Sequence, residues 1–205
     1  MIIIGAKGFA KELLEVCQEL GKTNNLVFYD DLSTDLPGKI YGEFDILHSE
    51  TEVKSYFREV DKRFALGIGN PILRKKMTDL FTSWGGELIS IISPKAHIGE
   101  FGVRIDLGAT ILAGASITGD VNIGKCLLMY PNSVITHGCK IGDFVELSPG
   151  AVILGNCNIC DFAHIGSNAT ILPKLSVGEK SVIGAGGVLT KSIKKDTVVK
   201  GNPAK

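Results

Sequence analysis

The chain has 205 residues, and its 22 Lys+Arg are balanced by 22 Asp+Glu, so no net field steers it toward nucleic acid or an anionic membrane. It lacks an apolar run of about 18 residues able to span a bilayer, and Met1-Ile2-Ile3-Ile4-Gly5 reads as a strand entering a turn, not as a secretory signal. Five cysteines, odd in number and irregularly spaced, suit reduced thiols and a cytoplasmic location, and 25 glycines against a single Trp imply many tight turns.

Residues 1–92 read as a small α/β domain. Met1–Ile4 is a buried-type strand, followed by Gly5-Ala6-Lys7-Gly8 and a helix with Phe9, Leu13, Val16, Cys17 and Leu20 on one face and Gly21 as its stop. Leu26–Tyr29 predicts a second strand that ends at Asp30-Asp31. Ser49 and Glu52 have the spacing of a capping box for a helix to about Val60. Arg63–Ile68 predicts a third strand, Asn70-Pro71 opens a helix to about Ser83, and Leu88–Ile92 closes the domain. Such β-α-β alternation predicts a small parallel sheet. A glycine-rich turn between strand and helix can present backbone N–H groups and the helix dipole to a phosphate, and an acidic residue ending the next strand can bond a ribose or a base. The motif is G-x-x-G, shorter than the dinucleotide fingerprint G-x-G-x-x-G, and a purely structural tight turn accounts for it about as well.

Residues 93–205 carry a repeat. From Ile105, steps of six meet Ile111, Ile117, Ile123, Met129, Ile135, Ile141, Leu147, Ile153, Ile159, Ile165, Ile171, Val177, Ile183 and Leu189. Chance would produce such a run about once in tens of thousands of trials at ordinary apolar content. A second column of mostly small residues, among them Ala109, Ala115, Cys139, Ala151, Cys157 and Ala163, follows each aliphatic by four. Glycine recurs directly after the aliphatic residue at 124, 142, 166, 178 and 184. Period six fits neither a helix nor a continuous strand, but it fits a short strand plus a turn, with one aliphatic per face and three faces to an 18-residue coil. Ala96-His97-Ile98-Gly99 is an earlier rung one residue out of step, which places an insertion near residues 100–104. In this frame Cys139 and Cys157 fall in the small inward column as packing residues, and His164 lies one coil above Glu146.

Ile4-Gly5-Ala6-Lys7-Gly8-Phe9-Ala10-Lys11, Tyr29-Asp30-Asp31, Gly67-Ile68-Gly69-Asn70 with Arg74, the hexapeptides, and the closing Gly201-Asn202-Pro203-Ala204-Lys205 occur together in this order. On these motifs the chain resembles, over essentially its whole length, the NeuD/PglD-type bacterial sugar acetyltransferases. The resemblance implies a Rossmann-like domain that holds a nucleotide-linked sugar, a left-handed parallel β-helix that binds acetyl-CoA, and a homotrimer with acyl-CoA clefts between subunits. It implies N-acetylation of an amino sugar, with sialic acid-type O-acetylation or a non-catalytic nucleotide-sugar scaffold as alternatives. His137, in Ile135-Thr136-His137-Gly138-Cys139, matches the family's catalytic histidine, and imidazole suits proton removal from an amine attacking a thioester. Relatives often place a carboxylate directly after this histidine; here Gly138 stands there, and Glu146 becomes the candidate partner, reaching across the trimer interface. The same resemblance assigns Gly5, Lys7, Gly8, Asp30, Asp31 and Tyr130 to the sugar nucleotide, and Glu146, Gly155, Ser167 and Ala185 to acetyl-CoA.

No metal is expected. The β-helix carbonic anhydrases need three converging histidines, whereas His137 and His164 are 27 residues apart, one and a half coils, and so on different faces. Cys157-Asn158-Ile159-Cys160 is a lone C-x-x-C whose first member the repeat already explains.

Overall fold

The computed structural model describes residues 1–205, and the chain divides into two compact units, Met1–Ile91 and Ile92–Lys205. In the first unit the elements run β1 (Ile2–Ile4), α1 (Gly8–Glu19), β2 (Val27–Tyr29), β3 (Lys39–Ile40), β4 (Phe44–Leu47), α2 (Glu50–Glu59), β5 (Arg63–Leu66), α3 (Pro71–Ser83) and β6 (Glu87–Leu88). The sheet order is β3-β4-β2-β1-β5-β6. Its central strand is apolar throughout because both faces are covered, and Ile2, Ile3 and Ile4 are buried.

The helix starts follow their capping chemistry. Ser49 Oγ accepts from the Glu52 N–H, while the Glu52 carboxylate accepts from the His48 N–H, so two orphan donors are satisfied reciprocally. Asn70 Oδ1 accepts from the Leu73 N–H, and Pro71 takes the position where a missing N–H costs nothing. The third strand ends at Leu66 instead of Ile68, because the next residue must let a helix approach. A Cβ on Gly67 would sit 2.8 Å from Ala10 Cβ and 2.9 Å from Ala10 Cα.

Two expectations need correction. The sheet is mixed, since β3 runs antiparallel to β4 through a turn in which Tyr41 and Gly42 both have positive φ. Each hairpin strand is too short to show a period. Leu88–Ile92 is two strands: β6 pairs with β5, whereas Ile91–Ile92 belongs to the seven-stranded sheet of the β-helix.

The second unit is a left-handed parallel β-helix of two-residue strands arranged on three faces of seven, six and five strands. The register advances by 18 residues per coil, as in Leu128↔Glu146, Glu146↔His164 and His164↔Val182. The aliphatic column therefore stacks on itself inside the coil, where Ile111, Met129, Leu147, Ile165 and Ile183 are inaccessible to solvent. Ile98 pairs with Ile117 but Ile105 pairs with Ile123, which locates the extra residue between positions 98 and 105. At the other end Val177 bridges Ile193 and Ile183 pairs with Val199, so the last coil is shorter by two.

Every sixth residue from Gly102 to Gly186 has positive φ. Gly, Asn and Asp fill ten of these fifteen corners; Cys126, Phe144, Phe162, Lys174 and Lys180 fill the rest. The left-handed conformation costs such residues roughly 1–2 kcal/mol each. Phe144 and Phe162 offset part of that cost by stacking with ring centroids 5.4 Å apart and planes 4° from parallel, with Lys180 Nζ 5.9 Å from the Phe162 centroid. The glycines that follow the aliphatic column have another purpose. Asp143 Oδ1 accepts from the Lys125 N–H and Asp161 Oδ1 from the Asp143 N–H, and these carboxylates fill the space that a Cβ on Gly124 or Gly142 would need.

One charged network ties the first unit together. The Met1 amine lies 3.0 Å from Asp61 Oδ2 and donates to the Tyr56 hydroxyl, and Arg63 bonds both Asp61 oxygens. The Arg63 guanidinium, helped by backbone N–H and amine donors, holds the Asp61 carboxyl well below the usual carboxylate range. A depressed carboxyl pKa contributes stability above its unfolded value of about 3.9 and loses it progressively as pH falls toward the folded value. We therefore expect Asp61→Asn to lower the melting temperature by a few degrees at neutral pH, and the difference from wild type to shrink below about pH 4 in thermal melts across pH.

Candidate functional site

Chain connectivity makes a crevice in the first unit. From β1 the chain goes to β2 on one side and returns to β5 on the other, so the loops at the carboxyl end of β1 diverge. A cleft of about 310 Å³ opens there, and Gly5, Lys7, Asp30 and Asp31 all line it. Gly8 opens α1 but lies outside this lining. Gly5 has φ +97°, and a Cβ on it would lie 2.8 Å from the Gly67 carbonyl oxygen, so only glycine brings the two loops this close. No side chain caps α1 and its first turn has no acidic residue, so no carboxylate of the helix opposes an anion at its positive dipole end.

The two aspartates differ. Asp30 Oδ1 accepts from the N–H groups of Leu32 and Ser33, and Oδ2 accepts from Ser33 Oγ at 3.1 Å, so this carboxylate folds its own loop. Asp31 is exposed, and burial together with its nearby carboxylate pushes the Tyr29 phenol up to about 12. Lys7 Nζ bonds Asp35 at 2.8 Å in the open, where water screens the pair. Arg74 is almost wholly buried and donates to the Gly69 carbonyl, bracing the loop that forms the far wall of the cleft. Helix periodicity could not announce this buried guanidinium, which shares the buried side of α3 with Met77 and Phe81.

In the second unit His137 occupies the corner after the strand Val134–Ile135 and before Lys140–Ile141. It is exposed, and its ring makes no hydrogen bond within the chain. One coil on, Gly155 lies directly against the imidazole, and a Cβ there would be 2.7 Å from His137 Nε2. Gly138 has φ +71°, so the residue beside the histidine is a glycine at one of the left-handed corners.

Glu146 sits on the seven-stranded face, away from the corner that carries His137, and is 9% exposed. Within one chain its register partner is His164, whose Nε2 lies 3.8 Å from Glu146 Oε1 and 2.9 Å from Ser148 Oγ. Ser148 escaped the sequence reading because one serine in a repeat rich in small residues has no period of its own. Ser167 and Ala185 stack at the corner after that face, where the Gly186 N–H donates to the Ser167 carbonyl. Tyr130 lies on the turn after Leu128–Met129 and is half-buried. No group of three or more His, Cys, Asp or Glu side chains is arranged to hold a metal ion.

The profile of the PglD N-terminal domain matches residues 1–81. WeeI from Acinetobacter baumannii AYE is 30% identical with a TM-score of 0.89, over 100% of this chain and 97% of its own. The acetyltransferase domain of PglB from Neisseria gonorrhoeae FA1090, in complex with acetyl coenzyme A, is 27% identical with a TM-score of 0.89, over 100% and 97%. A histidine-to-asparagine variant of perosamine N-acetyltransferase from Caulobacter crescentus, in complex with CoA and GDP-perosamine, is 25% identical with a TM-score of 0.91, over 100% and 94%. No curated protein sequence matches the chain. The end-to-end likeness at 30% identity, the N-terminal domain profile and the succession of Rossmann-like domain and left-handed β-helix make this chain a member of the NeuD/PglD-type family of bacterial sugar acetyltransferases.

Proposed function

We propose that the chain transfers the acetyl group of acetyl-CoA to the amino group of a nucleotide-linked amino sugar, with His137 as the general base. The observation that carries this reading is the end-to-end likeness to an N-acetyltransferase whose structure holds CoA and GDP-perosamine. The substrate's amine attacks the thioester carbonyl carbon while His137 removes its proton. The tetrahedral adduct then expels CoA sulfur, and the imidazolium returns the proton to the departing thiolate. The thioester is already activated, so no acyl-enzyme is needed. In the first unit the diphosphate would meet the uncapped start of α1 and Lys7, and Asp31 would meet the nucleoside, since Asp30 is committed to its turn.

The working assembly in this proposal is a cytoplasmic homotrimer with acetyl-CoA between β-helices, contacted by Gly155, Ser167 and Ala185, and with Tyr130 toward the sugar. The five free thiols fit a reducing compartment. Because Glu146 and His137 stand on different parts of the coil, Glu146 would meet His137 only from a neighbouring subunit.

Three measurements test the scheme. In a thiol-release assay with GDP-, UDP- and dTDP-linked amino sugars, one donor should be acetylated, and His137→Ala should lower kcat by at least about a hundredfold with little change in KM for acetyl-CoA. Full activity in that variant would remove His137 from the chemistry. Glu146 of a neighbouring subunit would orient the imidazole, so Glu146→Gln should lower kcat and alter the acid limb of the pH–rate profile. An unchanged profile would leave Glu146 to His164 alone. Aminolysis of a thioester requires no Lewis acid, so turnover should survive exhaustive EDTA treatment, and a loss that zinc restores would contradict the mechanism.

A further inference from the structure

A general base must be held in place, and in this chain no side chain does so by hydrogen bonding to His137. The position directly after it has left-handed φ, and the side-chain oxygen of Asn156, from the coil above, lies where a Cβ on Gly138 would have to go. The route used by relatives, a carboxylate on that residue, is absent here, and the Asn156 amide would have to swing aside to admit one. What the imidazole does touch is the backbone of the next coil. A Cβ built on Gly155 would lie 2.6 Å from His137 Cε1, 2.7 Å from Nε2 and 3.3 Å from Nδ1, against 3.4–4 Å for ordinary contact. The ring thus lies over a bare Cα.

That platform is fixed. The Asn156 N–H donates to the His137 carbonyl at 2.9 Å, the Lys174 N–H donates to the Gly155 carbonyl at 2.9 Å, and Gly155 is buried. Its backbone is also ordinary: Gly155 is not among the residues with positive φ, so conformation does not require glycine there. The nearest atoms that a methyl group would meet all belong to the His137 ring. Glycine at 155 is explained by the histidine.

We propose that Gly155 is the positioning residue for His137, locating the imidazole by packing where a hydrogen-bonded carboxylate is missing. The inference rests on His137 being the base, and it is separate from any contact Gly155 makes with acetyl-CoA. A methyl group at 155 displaces the ring by roughly an ångström, and a misplacement of that size costs up to about a hundredfold in rate. Stability should be nearly untouched, because an exposed ring can swing into water.

The test is a double-mutant cycle of Gly155→Ala and His137→Ala, read by N-acetyl transfer, by melting temperature and by the imidazole Hε1/Cε1 resonances. With four histidines in the chain, the His137 resonance is the one that His137→Ala removes. Gly155→Ala should shift that resonance and lower kcat about 10- to 100-fold. In the His137→Ala background it should cause no further loss. An unmoved resonance with unchanged kcat overturns the proposal, and so does the same fold-loss in both backgrounds, which would mean that Gly155 serves the cofactor instead. Should Gly155→Ala fail to fold, the pair still decides: folding restored in the double variant supports a clash with the ring, and failure of both places the clash elsewhere. Full activity in His137→Ala alone would instead strike the base assignment itself, and with it the purpose of the platform.

Discussion

The vertical register of 18 residues governs this β-helix. A strand of two residues has no stability of its own, and it persists here because its backbone bonds the coils above and below while its aliphatic side chain rests on the aliphatic of the neighbouring coil. Keeping that register means turning the chain through the same angle at every corner. Each turn needs a left-handed residue, even where the chain supplies phenylalanine or lysine. The strain at those corners is held by the core inside and, at Phe144 and Phe162, by a stack outside.

The same register arranges the chemistry. Residues 18 apart become neighbours and residues nine apart do not, so functional groups arrive in columns: His137 beneath Gly155, Glu146 beneath His164. A single chain therefore presents an isolated imidazole at one corner and a Glu–His–Ser cluster on another face. In the first unit, by contrast, the crevice follows from strand order, and one polypeptide brings Gly5, Lys7 and Asp31 together at the end of β1.

These two kinds of order differ in how far sequence reveals them. Period six is written into the aliphatic column, and Ile98, Ile105 and Ile123 even disclosed the one-residue insertion. Helix starts were legible at Ser49 and Asn70 because capping is local chemistry. The β3–β4 hairpin was not, since two- and four-residue strands carry no period, and neither was the division of Leu88–Ile92 between two sheets, which only three-dimensional pairing decides. Asp30 and Asp31 look alike in sequence; the separate duties emerge only when the loop folds back on one of them. The glycines after the aliphatics, the most visible of the chain's punctuation marks, proved not to be the left-handed corners. At Gly124 and Gly142 they are vacancies that admit an aspartate from the coil above.

Both departures from strict register lie at the ends of the stack, the extra residue in the first coil and the two missing residues in the last. A terminal coil has one neighbour to satisfy, and an interior coil has two. Between Ile105 and Ile183 a one-residue slip would turn every later aliphatic out of the core and move every later corner off its left-handed position. The interior therefore tolerates a change of length in two ways: by a whole coil, which keeps the 18-residue register, or by a bulge confined to a turn, of the kind the first coil already carries between positions 98 and 105.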